Sequence, residues 1–101
     1  MSVLFIGKFA GDTDLFRKAI ETRQDEMIAI ADRAKANGAI HHQFGIGDGV
    51  VVVVDEWETA EQFEAFFSDP NLQAFIASAG ADPTTPPDIT IVEAVDSVDK
   101  F

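Results

Sequence analysis

The sequence predicts an α+β domain in which four strands and two helical segments follow one another in the order β-α-β-β-α-β. Short apolar runs of strand length lie near both ends of the chain and in its middle. The stretches between them carry apolar residues at three- and four-residue steps, which is typical of amphipathic helices. A chain of 101 residues has the size of one domain, and we therefore expect a single domain over residues 1–101.

The first half of the chain predicts a strand followed by a long helix. Val3–Phe9 is an apolar run that ends at a glycine, as a largely buried strand does. Asp12 offers an N-cap oxygen for a helix that runs to about Asn37, and Gly38 is a typical helix stop. The apolar stripe of this helix consists of Phe16, Ala19, Ile20, Met27, Ile30, Ala31 and Ala34.

The second half predicts a hairpin, a broken helix and a final strand. Two strands, Ala39–Ile46 and Val50–Trp57, flank the tight turn signal Gly47-Asp48-Gly49. A capping box at Thr59–Gln62 begins a second helical segment, and Ser68-Asp69-Pro70 interrupts it. The loop over Gly80–Asp88 contains three prolines, and Ile89–Val95 follows as the last strand.

This order predicts a ferredoxin-like fold, with a four-stranded antiparallel sheet and two helices on one face. Val50–Val54 is apolar at every position, whereas a strand with one solvated face should alternate apolar and polar residues. Both faces of the sheet are therefore expected to be covered, and the chain has no residues left for a second layer. We expect a second copy to supply it, giving a homodimer.

The composition limits the partners and the chemistry. The net charge of −11 disfavours nucleic acid and anionic membranes, because binding to phosphates needs clustered Lys and Arg. The absence of cysteine excludes disulfides and thiolate catalysis. No run approaches the ~20 apolar residues of a membrane span, and the N-terminus has no basic signal region. We expect a cytoplasmic protein.

The third strand and the helix after it resemble a known superfamily. Val51–Val54, then Asp55-Glu56-Trp57-Glu58, a helix with Phe63 and a break at Asp69-Pro70 are similar to the dimeric α+β barrel proteins. The antibiotic-biosynthesis-monooxygenase-like domains are the branch that the stretch resembles most. The resemblance implies two sheets that close into a barrel across a dimer interface, with a cavity for a small molecule between sheet and helices or inside the barrel.

The residues that carry activity in enzymes of this group are mostly replaced. Val53, Phe63 and about Ile76 stand where the aromatic-polyketide monooxygenases have Asn, Tyr and Arg, and only Trp57 is retained. Phe66 and Ile76 stand where the related haem-degrading enzymes have a Trp and the axial His. The resemblance therefore implies no haem, and we expect no cofactor.

Strand parity gives a candidate site of another kind. Asp55 and Trp57 share a face with Val51 and Val53. A three-residue turn would place His41 opposite Asp55 and Gln43 opposite Val53, whereas a two-residue Asp48-Gly49 turn would place His42 opposite Asp55. We prefer the first register, because it turns Ile40, Phe44 and Ile46, together with His42, Val50, Val52 and Val54, toward the helices.

The predicted catalytic pair is therefore His41 and Asp55, with Trp57, Gln43, Val51, Val53 and Phe63 lining a ligand pocket. A carboxylate fixes the tautomer of an imidazole, which can then remove a proton from an acidic carbon or a phenol. Such a cross-strand pair is also an ordinary sheet stabiliser. Since His41 and His42 point to opposite faces of one strand, we predict no metal site.

Three functions fit the sequence. The first is a cofactor-free monooxygenase or isomerase-like enzyme that abstracts a proton from an aromatic or enolisable substrate. The second is a non-catalytic ligand-binding or stress-related barrel protein. The third is a regulatory interaction module, in which the tail Asp96–Phe101 would matter. A cavity that exposes the His–Asp pair favours the first function, a sealed apolar cavity the second, and an exposed patch without a cavity the third.

Overall fold

The computed structural model describes residues 1–101 and contains one four-stranded antiparallel sheet with helices on one face. The strands are β1 (Val3–Ala10), β2 (Ala39–Gly47), β3 (Val50–Trp57) and β4 (Asp88–Glu93). They lie in the order β2-β3-β1-β4, and each neighbouring pair is antiparallel. The helices are α1 (Thr13–Thr22), α2 (Gln24–Ala36), α3 (Ala60–Phe67) and α4 (Pro70–Ser78). The predicted α+β, ferredoxin-like arrangement is confirmed.

The first helical segment is broken at Arg23, where the sequence had predicted one continuous helix. The Thr22 hydroxyl donates to the Lys18 carbonyl oxygen at 2.8 Å, a bond that favours bending of a helix. Arg23 leaves helical geometry with φ −122° and ψ 35°. Its guanidinium then reaches α4, where it donates to the Ser78 hydroxyl at 2.8 Å and lies 4.4 Å from the centre of the Phe75 ring. The break therefore fixes the junction of α1 and α2 to α4.

The predicted helix boundaries have the expected caps. Asp12 accepts a hydrogen bond from the Leu15 amide and begins α1, and Thr59 accepts one from the Gln62 amide and begins α3. At the predicted interruption, Asp69 accepts from the Asn71 amide and Pro70 occupies the first turn of α4.

The preferred register of the β2–β3 hairpin was wrong, and the alternative register is the one in the structure. Gly47 pairs with Val50, so the turn is the two-residue Asp48-Gly49, with Gly49 at φ +68°. His42 therefore lies opposite Asp55, His41 opposite Glu56, and Gln43 opposite Val54. A β-bulge at Ile40 then lets Ala39 pair with Trp57.

The new register also changes which side chains lie under the helices. His42, Phe44 and Ile46 face the helices as predicted, but their companions on β3 are Val51, Val53, Asp55 and Trp57. Val50, Val52 and Val54, which were predicted to lie under the helices, belong to the opposite face. The candidate site is thus covered by this chain's own helices.

The sheet face without helices has no cover within the chain and carries apolar side chains together with polar ones such as Lys8, Gln43 and Glu56. We call it the open face, and its apolar members are Leu4, Ile6, Val50, Val52, Val54 and Val92. None of these side chains is buried, and Val54 and Val92 are 39% and 44% exposed. In contrast, Phe5, Trp57 and Phe63 on the covered side are almost completely buried. No helix of the chain has the length and apolar character that crossing a membrane requires.

Candidate functional site

Asp55 is the centre of the candidate site and the one carboxylate buried in the fold. It is 7% exposed, because β3 lies inside the sheet and the helices cover this face. One of its oxygens, Oδ1, lies 2.6 Å from Nδ1 of His42. The other, Oδ2, accepts a hydrogen bond of 3.2 Å from the indole Nε1–H of Trp57. Both oxygens therefore have partners, as a buried carboxylate requires.

His42 is held from two sides and turned toward Asp55. Its ring lies edge-on to the Phe44 ring, with 4.6 Å between the centroids. Because a carboxylate only accepts hydrogen bonds, the short contact assigns the proton to Nδ1. In the neutral ring Nε2 then carries the lone pair, and it has no hydrogen-bond partner within the chain. The side chain is 43% exposed, so a ligand can reach the ring.

Trp57 joins the polar pair to an aromatic wall. The indole is 1% exposed and lies 5.2 Å from Phe66 and 5.8 Å from Phe63, measured between ring centroids. Phe63 in turn stacks on Phe5 at 4.2 Å. The packed rings fix the indole, and the indole N–H fixes the carboxylate that orients His42.

A cavity of about 510 Å³ lies between the sheet and the helices, and it includes this site. Of its 30 lining residues, 23 are hydrophobic, so the cavity suits a mostly apolar ligand. His42 and Asp55 are among its few polar residues. Nowhere in the chain do three His, Asp or Glu side chains come together in a way that could hold a metal ion.

The predicted site residues divide into two groups. Asp55, Trp57, Val51, Val53 and Phe63 all line the cavity. The two predicted site residues of β2, His41 and Gln43, have other partners in the observed register. His41 pairs with Glu56 instead of Asp55 and is an exposed residue at the rim of the cavity. Gln43 pairs with Val54, is exposed, and does not line the cavity.

The preferred register did not place His42 and Phe44 of β2 at the site. His42, which the sequence offered only as the alternative partner of Asp55, is the residue that meets the carboxylate. Phe44 supports its ring and also packs against Phe16 of α1, with 5.0 Å between their ring centroids. The dipeptide Asp48-Gly49 was the signal for this register, because Asp-Gly is a favoured two-residue hairpin turn.

Comparison with known proteins finds similarity in structure only. No family model matches the chain, and no curated protein matches it by sequence. Among solved structures, Rv0793 from Mycobacterium tuberculosis superposes with a TM-score of 0.64 at 17% identity, covering 98% of this chain and 100% of that one. A proposed antibiotic biosynthesis monooxygenase from Caulobacter crescentus gives a TM-score of 0.66 at 16% identity, over 94% of this chain and 91% of that one.

A third similar structure has a described activity. SnoaB, a cofactor-independent oxygenase from Streptomyces nogalater, gives a TM-score of 0.60 at 14% identity and covers 98% of both chains. The chain has the fold of the antibiotic-biosynthesis-monooxygenase-like proteins. The resemblance seen in the sequence is thus confirmed for the fold. At these identities the likeness shows the fold and carries no residue roles.

Proposed function

We propose that this protein binds a small, flat, mostly apolar molecule in the cavity and removes a proton from it, with His42 as the general base and no cofactor. The observation that carries the proposal is the chain of contacts from Trp57 through Asp55 to His42 at the wall of the cavity. In this assignment His42 takes the catalytic role that the sequence had given to His41. Asp55 and Trp57 are positioning residues.

The proposed step moves one proton and leaves an electron pair on the substrate. Nε2 of His42 accepts the proton from an acidic carbon or a phenol, and the Asp55 carboxylate stabilises the imidazolium that forms. The substrate becomes an enolate or phenolate, whose electrons can react with dissolved oxygen. For a ketone with an acidic methylene, the overall change is CH₂ + O₂ → C=O + H₂O. If the proton returns to another carbon instead, the reaction is an isomerisation.

Three observations favour this function over a non-catalytic binding protein or a regulatory interaction module. The His–Asp pair lines the cavity and the His42 side chain is 43% exposed, which is the feature expected of the enzyme rather than of a sealed binding protein. Its apolar lining includes aromatic rings that suit a planar ligand. SnoaB, with the same fold, is described as a cofactor-independent oxygenase.

The second candidate is a non-catalytic ligand-binding protein. It is favoured by Val53 and Phe63, which line the cavity where the monooxygenases that the sequence resembles have Asn and Tyr. In that case the His42–Asp55 pair would stabilise the sheet and would have no part in turnover.

Turnover of a tricyclic ketone separates the two candidates. The probe is anthrone, which has one acidic methylene, and the readouts are oxygen uptake and the absorbance of the quinone. We expect His42→Gln to lower the rate by about 10²–10⁴-fold, as loss of a general base does. His41→Gln, one residue away and turned from Asp55, is the matched control and should keep the rate. Quenching of Trp57 fluorescence by the ketone without any turnover would favour the binding protein.

We also propose that the protein acts as a homodimer joined through the open face. Removing the six apolar side chains of this face from water would stabilise a symmetric contact between two copies. Light scattering after size exclusion tests this directly. The dimer predicts twice the chain mass of 10.9 kDa at micromolar concentration, and a mass of one chain would contradict it.

A further inference from the structure

The cavity has a mouth between α2 and the edge strand β2. Two large apolar side chains, Ile28 of α2 and Ile40 of β2, line the cavity and yet are 58% and 56% exposed. A side chain that lines a cavity and also meets solvent lies where the cavity opens. Helix α2 has no buried residue, although several of its apolar side chains line the cavity. This side of the site is therefore only lightly closed.

Ile40 reaches the mouth because of the bulge in β2. Ala39 pairs with Trp57 and His41 pairs with Glu56, so Ile40 is an extra residue with no partner on β3. A bulge of this kind re-aims the side chain of the extra residue, and the pairing register shifts by one residue between the two sides of the bulge. The bulge places an apolar side chain two positions before His42, at the rim through which a ligand would approach Nε2.

The charged residue at the rim gives little attraction to an anion. Lys35 of α2 also lines the cavity, but its side chain is 74% exposed and its ammonium lies 3.9 Å from the Asp32 carboxylate. The net charge of the chain, −11, adds a long-range repulsion for anions. A neutral molecule with an apolar leading edge is the ligand that this mouth suits.

We propose that Ile28 and Ile40 form an apolar gate that admits neutral, apolar ligands to His42 and sets the rate at which they enter and leave. This inference rests on the proposed function for the identity of the site. A gate changes the barrier that a ligand crosses both on entering and on leaving the cavity. Truncating it should therefore alter the association and dissociation rate constants together and leave the dissociation constant nearly unchanged.

Ligand exchange can be followed with the protein's own tryptophan. Trp57 is the one tryptophan of the chain and lies at the cavity, so it can transfer excitation energy to a naphthyl probe bound inside. The neutral dye N-phenyl-1-naphthylamine is mixed with protein in a stopped-flow instrument, and association and dissociation rate constants are measured. We expect Ile28→Ala and Ile40→Ala each to raise both constants several-fold.

Two further variants test whether the effect is specific to the gate: one truncates an apolar side chain elsewhere on the surface, and the other removes the bulge. Leu15 of α1 is 42% exposed and does not line the cavity, so Leu15→Ala should leave both constants unchanged. Deletion of Ile40 should remove the bulge and leave Ala39 opposite Trp57 and His41 opposite Glu56 as consecutive pairs. This deletion should speed exchange at least as much as Ile40→Ala.

The gate fails if the Ile28 and Ile40 variants exchange the dye at the same rates as the unchanged protein. The gate also fails if the association rate constant stays the same while the dissociation rate constant and the dissociation constant change. The isoleucines would then contact the bound ligand without controlling its entry. Absence of energy transfer in the unchanged protein would overturn the inference as well. Dye exchange involves no proton transfer, so faster exchange in the isoleucine variants without any turnover of anthrone would overturn the catalytic proposal alone.

Discussion

Replacing Asp55 with asparagine should reverse the tautomer of His42. The carboxylate accepts from both Nδ1 of His42 and Nε1 of Trp57, whereas an amide offers one acceptor and one donor group. The indole N–H of Trp57 can only donate, so the amide oxygen of the variant side chain has to face it and accept its hydrogen bond. The amide NH₂ then faces Nδ1, which has to become an acceptor, and the ring proton moves to Nε2.

The size of the effect follows from these contacts. A hydrogen bond to a charged acceptor contributes about 1.5–3 kcal/mol. Since His42 is 43% exposed, we expect the free energy of unfolding to fall by an amount near the lower end of that range. The loss of activity should be larger, about 10²–10⁴-fold, because Nε2 carries a proton in the variant and cannot act as a base.

The ring nitrogens of His42 report the tautomer directly in a long-range ¹H–¹⁵N NMR spectrum. The chain has two histidines, so His41→Gln assigns the signals. We expect Nδ1–H in the unchanged protein and Nε2–H in Asp55→Asn. If the variant kept the proton on Nδ1, or if it kept full activity with the proton on Nε2, the reasoning about this pair would be refuted.

Three other predictions concern the dimer, the core and a surface loop. Val52→Glu places a charge in the open face and should convert the proposed dimer to a monomer in light scattering, whereas an unchanged mass would contradict that interface. Phe63→Ala, at a side chain 4% exposed, should lower the free energy of unfolding by about 3–5 kcal/mol in urea titrations, and a loss below 1 kcal/mol would refute its core role. Hydrogen bonds from the side chain and backbone amide of Thr84, and from the Thr85 side chain, lower the pKa of Asp82 from its ordinary 3.8. The stability that they contribute is thus present above pH 3.8 and lost as pH falls through the lowered pKa. Thr84→Val should raise the pKa of Asp82 toward 3.8 in an NMR titration, and an unchanged value would contradict the assignment.

Most of the fold could be predicted because its signals are local. Helix caps such as Asp12, Thr59 and Asp69 depend on oxygens a few residues from the amides they accept from, so the sequence shows them directly. The break at Arg23 could not be predicted in this way. Its guanidinium binds Ser78 and Phe75, which are far along the chain, and the residues around it are ordinary in a helix.

The site was half predictable for a related reason. The face shared by Asp55 and Trp57 follows from strand parity alone, because the two residues lie in one strand. The histidine that meets Asp55 depends on whether the turn has two or three residues, because one residue of slip pairs every side chain of β2 with the other face of β3. The bulge at Ile40 has no sequence signal of its own, since it is defined by its partners on β3.

Hydrogen exchange at the acidic methylene of anthrone, measured without oxygen in deuterated water, tests the central claim most directly. It isolates proton abstraction from every later step and does not require the natural substrate. The unchanged protein and His41→Gln should accelerate the exchange, and His42→Gln should lose about 10²-fold or more of that acceleration. Equal rates for His42→Gln and the unchanged protein, with both variants folded, would contradict the assignment of His42 as the base.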